Sequence, residues 1–477
     1  CRGYWMIKST RHSLFLTLAF YGIATFLSNI LAQNSSTSPE QIDILGANTI
    51  ERDPNISDAS RLIGNVKLGF NDAILYCDSA YRFDDGRFEV FSGVKVVSEP
   101  STTLLAEYAV LNPEKGTITV KKNVTFSHDE ITLECPELIY NINSKNLSYY
   151  SRSKFIDGAK TLESNRGTYS SNSGRLYAGG NVIMEEGMDF IASDSLAIDR
   201  YDEMLYIFQR THMDIGGTLI NCLRGEFDGE KEEGWFAGNA SIYDNSGYLA
   251  GDSIEVSKED DLGSAWGNVT VRDSSKTLTV TGAYASRNNG SEIIYGDSIS
   301  PAVATNIEEG DTLILGADVL RKNEDWLFAV GDVEFNQGAF SGDGDSLSWA
   351  LEDDEVWLLG DPIVRSEEEE LTGDSVRMIV IDNKPSLLSL IGNAKVLSYT
   401  NDTLQNEMRG KTLDARFVSG DIETVDIKGN GNILYYTIDD ANSVSINKAT
   451  CSYIKMAFTN HELHTITLHN SPEGSVE

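Results

Sequence analysis

Between Arg61 and Tyr81 the chain alternates apolar and polar positions with a period of two. Val66, Leu68 and Phe70 share one face, and Asn65, Lys67 and Asn71 the other. After a short polar break the alternation resumes, with Leu75 and Cys77 on one face and Asp78 following. This period is that of a half-buried antiparallel strand. Gly69, Asn71 and Asp72 around the break make the two runs a hairpin-like unit.

The unit recurs. A Gly-Asn-Val type corner stands at Gly64-Asn65-Val66, Ser92-Gly93-Val94, Lys122-Asn123-Val124, Gly180-Asn181-Val182, Gly238-Asn239-Ala240 and Gly267-Asn268-Val269. It continues at Gly331-Asp332-Val333, Gly360-Asp361-Pro362, Gly392-Asn393-Ala394 and Gly431-Asn432-Ile433. The intervals are about 29 residues or about twice that, the mark of a stacked repeat with some degenerate copies. A second corner, a small residue followed by an acid, lies between these, as in Cys77-Asp78-Ser79, Ser193-Asp194-Ser195, Gly251-Asp252-Ser253 and Gly344-Asp345-Ser346. The two motifs read as two separate corners of each unit, where a strand turns from one sheet into the next. Asn-, Asp- and Gly-rich turns such as Asp84-Asp85-Gly86 and Asn172-Ser173-Gly174 join the strands. No stretch beyond the first 32 residues has helical periodicity with caps. The expectation is an all-β chain of two packed antiparallel sheets or a flattened roll. The least regular stretch, Pro301–Gly310, is the expected domain boundary or register break.

Composition narrows the function. With 41 glycines and 9 prolines in 477 residues, tight turns are plentiful. The net charge of −35 argues against nucleic acid and against electrostatic adhesion to anionic membranes, since both need basic stripes. At the start, Lys8, Arg11 and His12 precede the apolar run Leu14–Leu31, which ends before Ala32-Gln33. This is the pattern of a secretory signal peptide over residues 1–32, with Met6 as the start and Cys1–Trp5 upstream of it. Residues 33–43 form a polar flexible leader. The other cysteines, Cys77, Cys135, Cys222 and Cys451, match no zinc spacing. They read as buried thiols, with a disulfide as the alternative in an exported protein.

No catalytic motif survives scrutiny. There is no nucleophile elbow, no phosphate-binding loop and no cofactor fingerprint. His461, His464 and His469 lack metalloprotease spacing. Gly342–Ser346 lacks the terminal Glu of a calcium loop, since the twelfth position from Asp343 is Asp354. Carboxylates that could pair as a glycosidase dyad sit at repeat corners, where turn chemistry explains them. The sequons at Asn123, Asn239 and Asn268 fall on the corner itself. What remains is the apolar row that each unit turns to one side. In a closed sandwich that row is only core. In an open, V-shaped roll it is a continuous groove for acyl chains, each buried methylene contributing about 0.8 kcal/mol.

The corners together, LIGNVKL…ILYCDSAY followed by further GNV…DS units, resemble the organic-solvent-tolerance-like (OstA-like, LptA-type) family. That family comprises a periplasmic component of lipopolysaccharide transport and the related N-terminal domain of its outer-membrane partner. The resemblance spans roughly residues 44–436. It implies an elongated β-jellyroll or β-taco fold, periplasmic and non-enzymatic, whose interior cradles the acyl chains of lipid A. It also implies partners among lipopolysaccharide-transport proteins or further copies joined end to end by strand pairing. On this reading residues 44–300 form one roll, residues 309–455 a second roll or its continuation, and 456–477 a tail. The lipid-binding residues are then the inward apolar rows, including Val66, Leu68, Leu75, Val94, Val124, Phe126, Leu133, Val182 and Met184. The chain departs from the family in having many more repeats than a single short roll. Its acidity means that anionic headgroups must stay outside or meet local cations such as Lys67, Lys95 and Lys121. The alternative is a secreted structural or adhesive repeat protein with a closed core.

Overall fold

A computed structural model describes residues 41–477, except 53–55, 57–58, 99–100, 258–261, 309–310, 351, 367–368, 382–383, 402–403, 419–420, 439–443, 460–461 and 471. Residues 1–32, expected to be a signal peptide, residues 33–40 of the expected leader, and His461 lie outside the described residues. Every described element is a β-strand, so the chain is all-β, and the strand pairs are antiparallel. No helix among the described residues is long and apolar enough to cross a membrane.

The chain forms two compact units. The first comprises residues up to 129 together with 136–147; the second comprises 130–135 and 148–477. In the first, β1 (Asp43–Gly46) and β2 (Thr49–Arg52) both pair with β3 (Ala59–Phe70). Then β4 (Ala73–Phe83), β5 (Phe88–Ser98), β6 (Thr102–Asn112) and β7 (Thr117–His128) follow as a meander. The strand β8 (Ile131–Asn141) contributes its second half to this unit and its first half to the next. The second unit repeats the theme to the end of the chain. Its strands are long and bent, such as Leu262–Asp273, or broken in two at the bend, such as Ser153–Asp157 beside Asn146–Tyr149. The stretch around 301–310, expected to interrupt the register, contains the strand Ala302–Glu308, which pairs on both sides with Leu278–Asn288 and Asp311–Ala317.

The two sequence corners prove to be two halves of one bend. Between β3 and β4, Ile63 pairs with Ser79 and Val66 with Cys77, so Gly64 and Asn65 stand opposite the single residue Asp78. Two residues against one is a β-bulge. The same insertion sets Gly180-Asn181 against Asp194, Gly238-Asn239 against Asp252 and Gly331-Asp332 against Asp345. Both bulge residues are left-handed, as at Gly64 and Asn65 with φ of 74° and 48°, and at Gly331 and Asp332 with 83° and 42°. Glycine enters that region freely, and Asn and Asp tolerate it best among the others. The amide then caps the acid: Asn268 Nδ2 donates to Asp252 Oδ1 at 3.1 Å, and Asn123 Nδ2 to Glu107 Oε1 at 2.6 Å.

The doubled intervals also resolve. Arg152 stands halfway between Asn123 and Asn181, Arg210 halfway between Asn181 and Asn239, and Ser300 halfway between Asn268 and Asp332. Each lies where the strand is broken rather than bulged, between Tyr149 and Ser153, Ile207 and Thr211, and Tyr295 and Ala302. The period therefore continues through these positions, where the strand break holds no left-handed residue, whereas the break at Gly360-Asp361 keeps the motif.

Candidate functional site: the apolar interior

The bend divides each unit into two walls. In the first unit, Leu62, Ala80, Val90, Ala109 and Val120 form a transverse row on one wall, each paired with the next. Leu68, Leu75, Val96, Leu104 and Phe126 form the matching row on the other. None of these ten side chains is more than 1% exposed. Strands are the only elements available to cover them, so each wall covers the other. The ring of Phe126, below the bend, packs 6.0 Å from that of Tyr140, above it. A polar clasp closes the far edge. Asn71 Nδ2, in the turn after β3, donates to Asn143 Oδ1 at 2.6 Å, and Lys145 pairs with Asp72 and donates to Ser98 Oγ at 3.0 Å.

In the second unit the row beside the bend stays buried throughout, as at Leu196, Phe236, Ile254, Ala329, Leu390 and Ile454. The next row outward differs. On the second wall it runs by successive pairings from Leu133 through Phe155, Leu162, Met184, Ile191, Met213 and Ile220. Beyond Ile220 its members Ile242, Leu249, Val271 and Val280 are only half-buried, Leu315 is buried, and Phe335, Val364 and Leu371 further on are half-buried again. At the same depth on the first wall, Leu327, Trp349, Val356, Met378 and Leu388 are also half-buried. The equivalent side chains of the first unit are sealed. The interior thus opens along the chain into an apolar slot. Between Val271 and Leu371 the row crosses about eight strands, roughly 34 Å at about 4.8 Å per strand. Trp349 Nε1 is buried there and finds no hydrogen-bond partner among the described residues.

Of the nine side chains picked from the sequence, Val66, Leu68, Leu75, Val94, Val124, Phe126, Leu133 and Val182 are 2% exposed or less. All eight face sealed interior. Met184 alone is half-buried, and it lines a cavity of about 30 Å³. The slot residues were missed because their alternation is identical to that of the sealed rows; only the spacing of the walls separates the two classes. A weak signal exists in Trp349, a side chain larger than Phe88, Leu111 and Ile118 at the same depth of the first unit.

The four cysteines among the described residues are buried. Burial, with the Asp78 charge adding to it, pushes the Cys77 thiol up to about 12, and burial pushes Cys222 up to about 11. Such thiols are packing groups, not nucleophiles. Near the cavity, burial alone would raise the Asp199 carboxyl. Hydrogen bonds from Arg175 and from the Tyr201 and Asp202 amides outweigh that and hold it below the ordinary carboxylate range.

Residues 40–194 match the family model described as OstA-like protein, so this stretch of the chain is similar to that family. No curated protein matches the chain. Among solved structures, the chain is similar to LptH of Pseudomonas aeruginosa, the LptA-homologous periplasmic component of its lipopolysaccharide transport device. The identity is 13%, over 29% of this chain and 93% of that one, with a TM-score of 0.23.

Proposed function

We propose that the chain is a periplasmic, non-enzymatic lipid carrier of lipopolysaccharide transport, holding acyl chains in the slot of its second unit. The observation that carries this reading is the change in burial along one row: Phe155, Leu162, Ile191 and Met213 are buried, whereas Ile242, Leu249, Val271, Val280, Phe335, Val364 and Leu371 are half-buried, with Leu315 a buried point among them. A solvated apolar slot is costly unless something apolar fills it, and an acyl chain gains about 0.8 kcal/mol per buried methylene. The OstA-like character of residues 40–194 supports the transport assignment. Leu133 and Met184 stand on the row that leads into the slot, Val182 is buried core of the same unit, and Val66, Leu68, Leu75, Val94, Val124 and Phe126 are buried core of the first unit. Among the described residues, β1 and β2 pair on one side only, with β3, and Glu462–His469 and Glu473–Val476 pair only with Val444–Thr459. Such edges suit end-to-end strand addition to a second copy or a transport partner.

The test is quenching of Trp349 by lipopolysaccharide carrying brominated acyl chains, with Trp349→Phe as control. The expected result is quenching in the native chain that falls sharply in the variant. Equal quenching in both, or none in either, overturns the assignment. The second reading, a structural rod without ligand, draws on the sealed core of the first unit and is the outcome if no lipid binds.

A further inference from the structure

Building on the lipid-carrier reading, we propose that the cavity near Met184 is a gated site for the tail of an anionic amphiphile. The Asp157–Arg200 ion pair is its gate, and Arg200 and Lys160 take the headgroup. The cavity lies between the walls of the second unit. Phe155, Leu162 and Met184 line it from one wall, Leu176 and Ile198 from the other. At about 30 Å³ it has room for one water but not for an acyl chain. Phe155, Leu162 and Met184 belong to the row that becomes the open slot beyond Ile220, and Met184 is the half-buried member of its otherwise buried stretch.

The mouth is held by charge. Asp157 ends the strand Ser153–Asp157 on one wall, and Arg200 follows the strand Asp189–Asp199 on the other. Arg200 Nε donates to Asp157 Oδ2 and Arg200 Nη2 to Asp157 Oδ1, both at 2.8 Å. Both side chains keep contact with water, at 22% and 21% exposure. A pair so placed separates at far lower cost than a dry one, because water takes up the freed charges. Lys160 lines the same mouth and is lightly held, 3.5 Å from Glu186, with both groups exposed. Arg175 stands nearby, bound to Asp199. In a chain of net charge −35, two of the three charged residues lining this apolar cavity, Lys160 and Arg200, are cations. A phosphate presents the same bidentate edge to guanidinium as the Asp157 carboxylate does. An incoming headgroup can therefore replace Asp157 on Arg200 while its tail follows the parted walls. This answers the conflict between an acidic chain and an anionic lipid.

The experiment measures binding of dodecyl phosphate, dodecyl glycerol and inorganic phosphate by calorimetry to the full chain and to Asp157→Asn, Arg200→Gln and Arg200→Lys. Asp157→Asn frees the guanidinium and is expected to tighten dodecyl phosphate about tenfold, whereas Arg200→Gln weakens it about tenfold, the effect of one charge-assisted contact. Arg200→Lys falls between, keeping charge without the fork. Neutral dodecyl glycerol shifts in one direction for both Asp157→Asn and Arg200→Gln, since both open the gate. Inorganic phosphate alone does not bind. The proposal is overturned if the two variants move dodecyl phosphate in the same direction, if neither moves it, or if free phosphate binds as tightly as the amphiphile. Failure of Trp349 quenching defeats the carrier reading itself. Quenching with variants that bind dodecyl phosphate alike defeats only the gate.

Discussion

Leu104 and Leu371 allow the open slot to be weighed against the sealed core at one structural position. Leu104 pairs with Val96, and Leu371 with Val396. Each is the second inward residue below the bend, of the same type, on the same wall. Leu104 is 1% exposed; Leu371 is half-buried. Truncating a fully buried leucine loses its transfer free energy and leaves a cavity, at about 3–5 kcal/mol in total. Truncating Leu371 loses only part of the transfer term, and no new cavity arises where a slot already exists. The expected cost is about 1 kcal/mol. Hydrogen exchange read by mass spectrometry on β6 and on Glu369–Thr372 reports each locally, without assuming that the whole chain unfolds in one step. Leu104→Ala should accelerate exchange in β6 by at least about a hundredfold, and Leu371→Ala should accelerate it in its own strand by about fivefold. Lipid should then protect the strand of Leu371 and leave β6 unchanged. Equal costs at the two sites would mean that the slot is shut in solution, and the reasoning from burial would fail.

Three further outcomes follow from the same geometry. At the bend, Gly331 has φ of +83° and a Cβ there would meet the Asp318 carboxylate; Gly331→Ala should cost about 1–3 kcal/mol in thermal denaturation, and Asp318→Ala should recover only the steric part. The Asp199 carboxyl is lowered in the folded chain, so its contribution is present above the unfolded value of about 3.9 and is lost as pH falls through the folded one. Asp199→Asn should cost about 1–3 kcal/mol near neutrality and flatten that acid limb in urea titrations at stepped pH. Cys77 and Cys222, pushed up to about 12 and about 11, should resist iodoacetamide at pH 8 until denaturant is added, as mass spectrometry of the alkylated chain would show.

Much of the fold was legible because its chemistry is local. A left-handed bulge selects Gly-Asn wherever it occurs, so the bends announce themselves in the sequence, and alternation names the inward face. The pairing of those bends was not legible. Gly64-Asn65 and Asp78 look like successive corners along the chain, and only the strand register shows them opposite each other. The breaks at Arg152, Arg210 and Ser300 escaped for a related reason: unlike the break at Gly360-Asp361, they hold no left-handed residue.

By itself, then, the sequence determined an all-β repeat, its period, its bends and the side each residue faces, since period-two patterning and backbone sterics act over a few residues. Tertiary structure alone decided where the interior is sealed and where it is open. Leu104 and Leu371 have the same identity and the same phase, and they differ only in how closely the opposite wall approaches. That approach depends on contacts between segments far apart in the chain, as in the first unit, where Asn71 meets Asn143 and Asp72 meets Lys145.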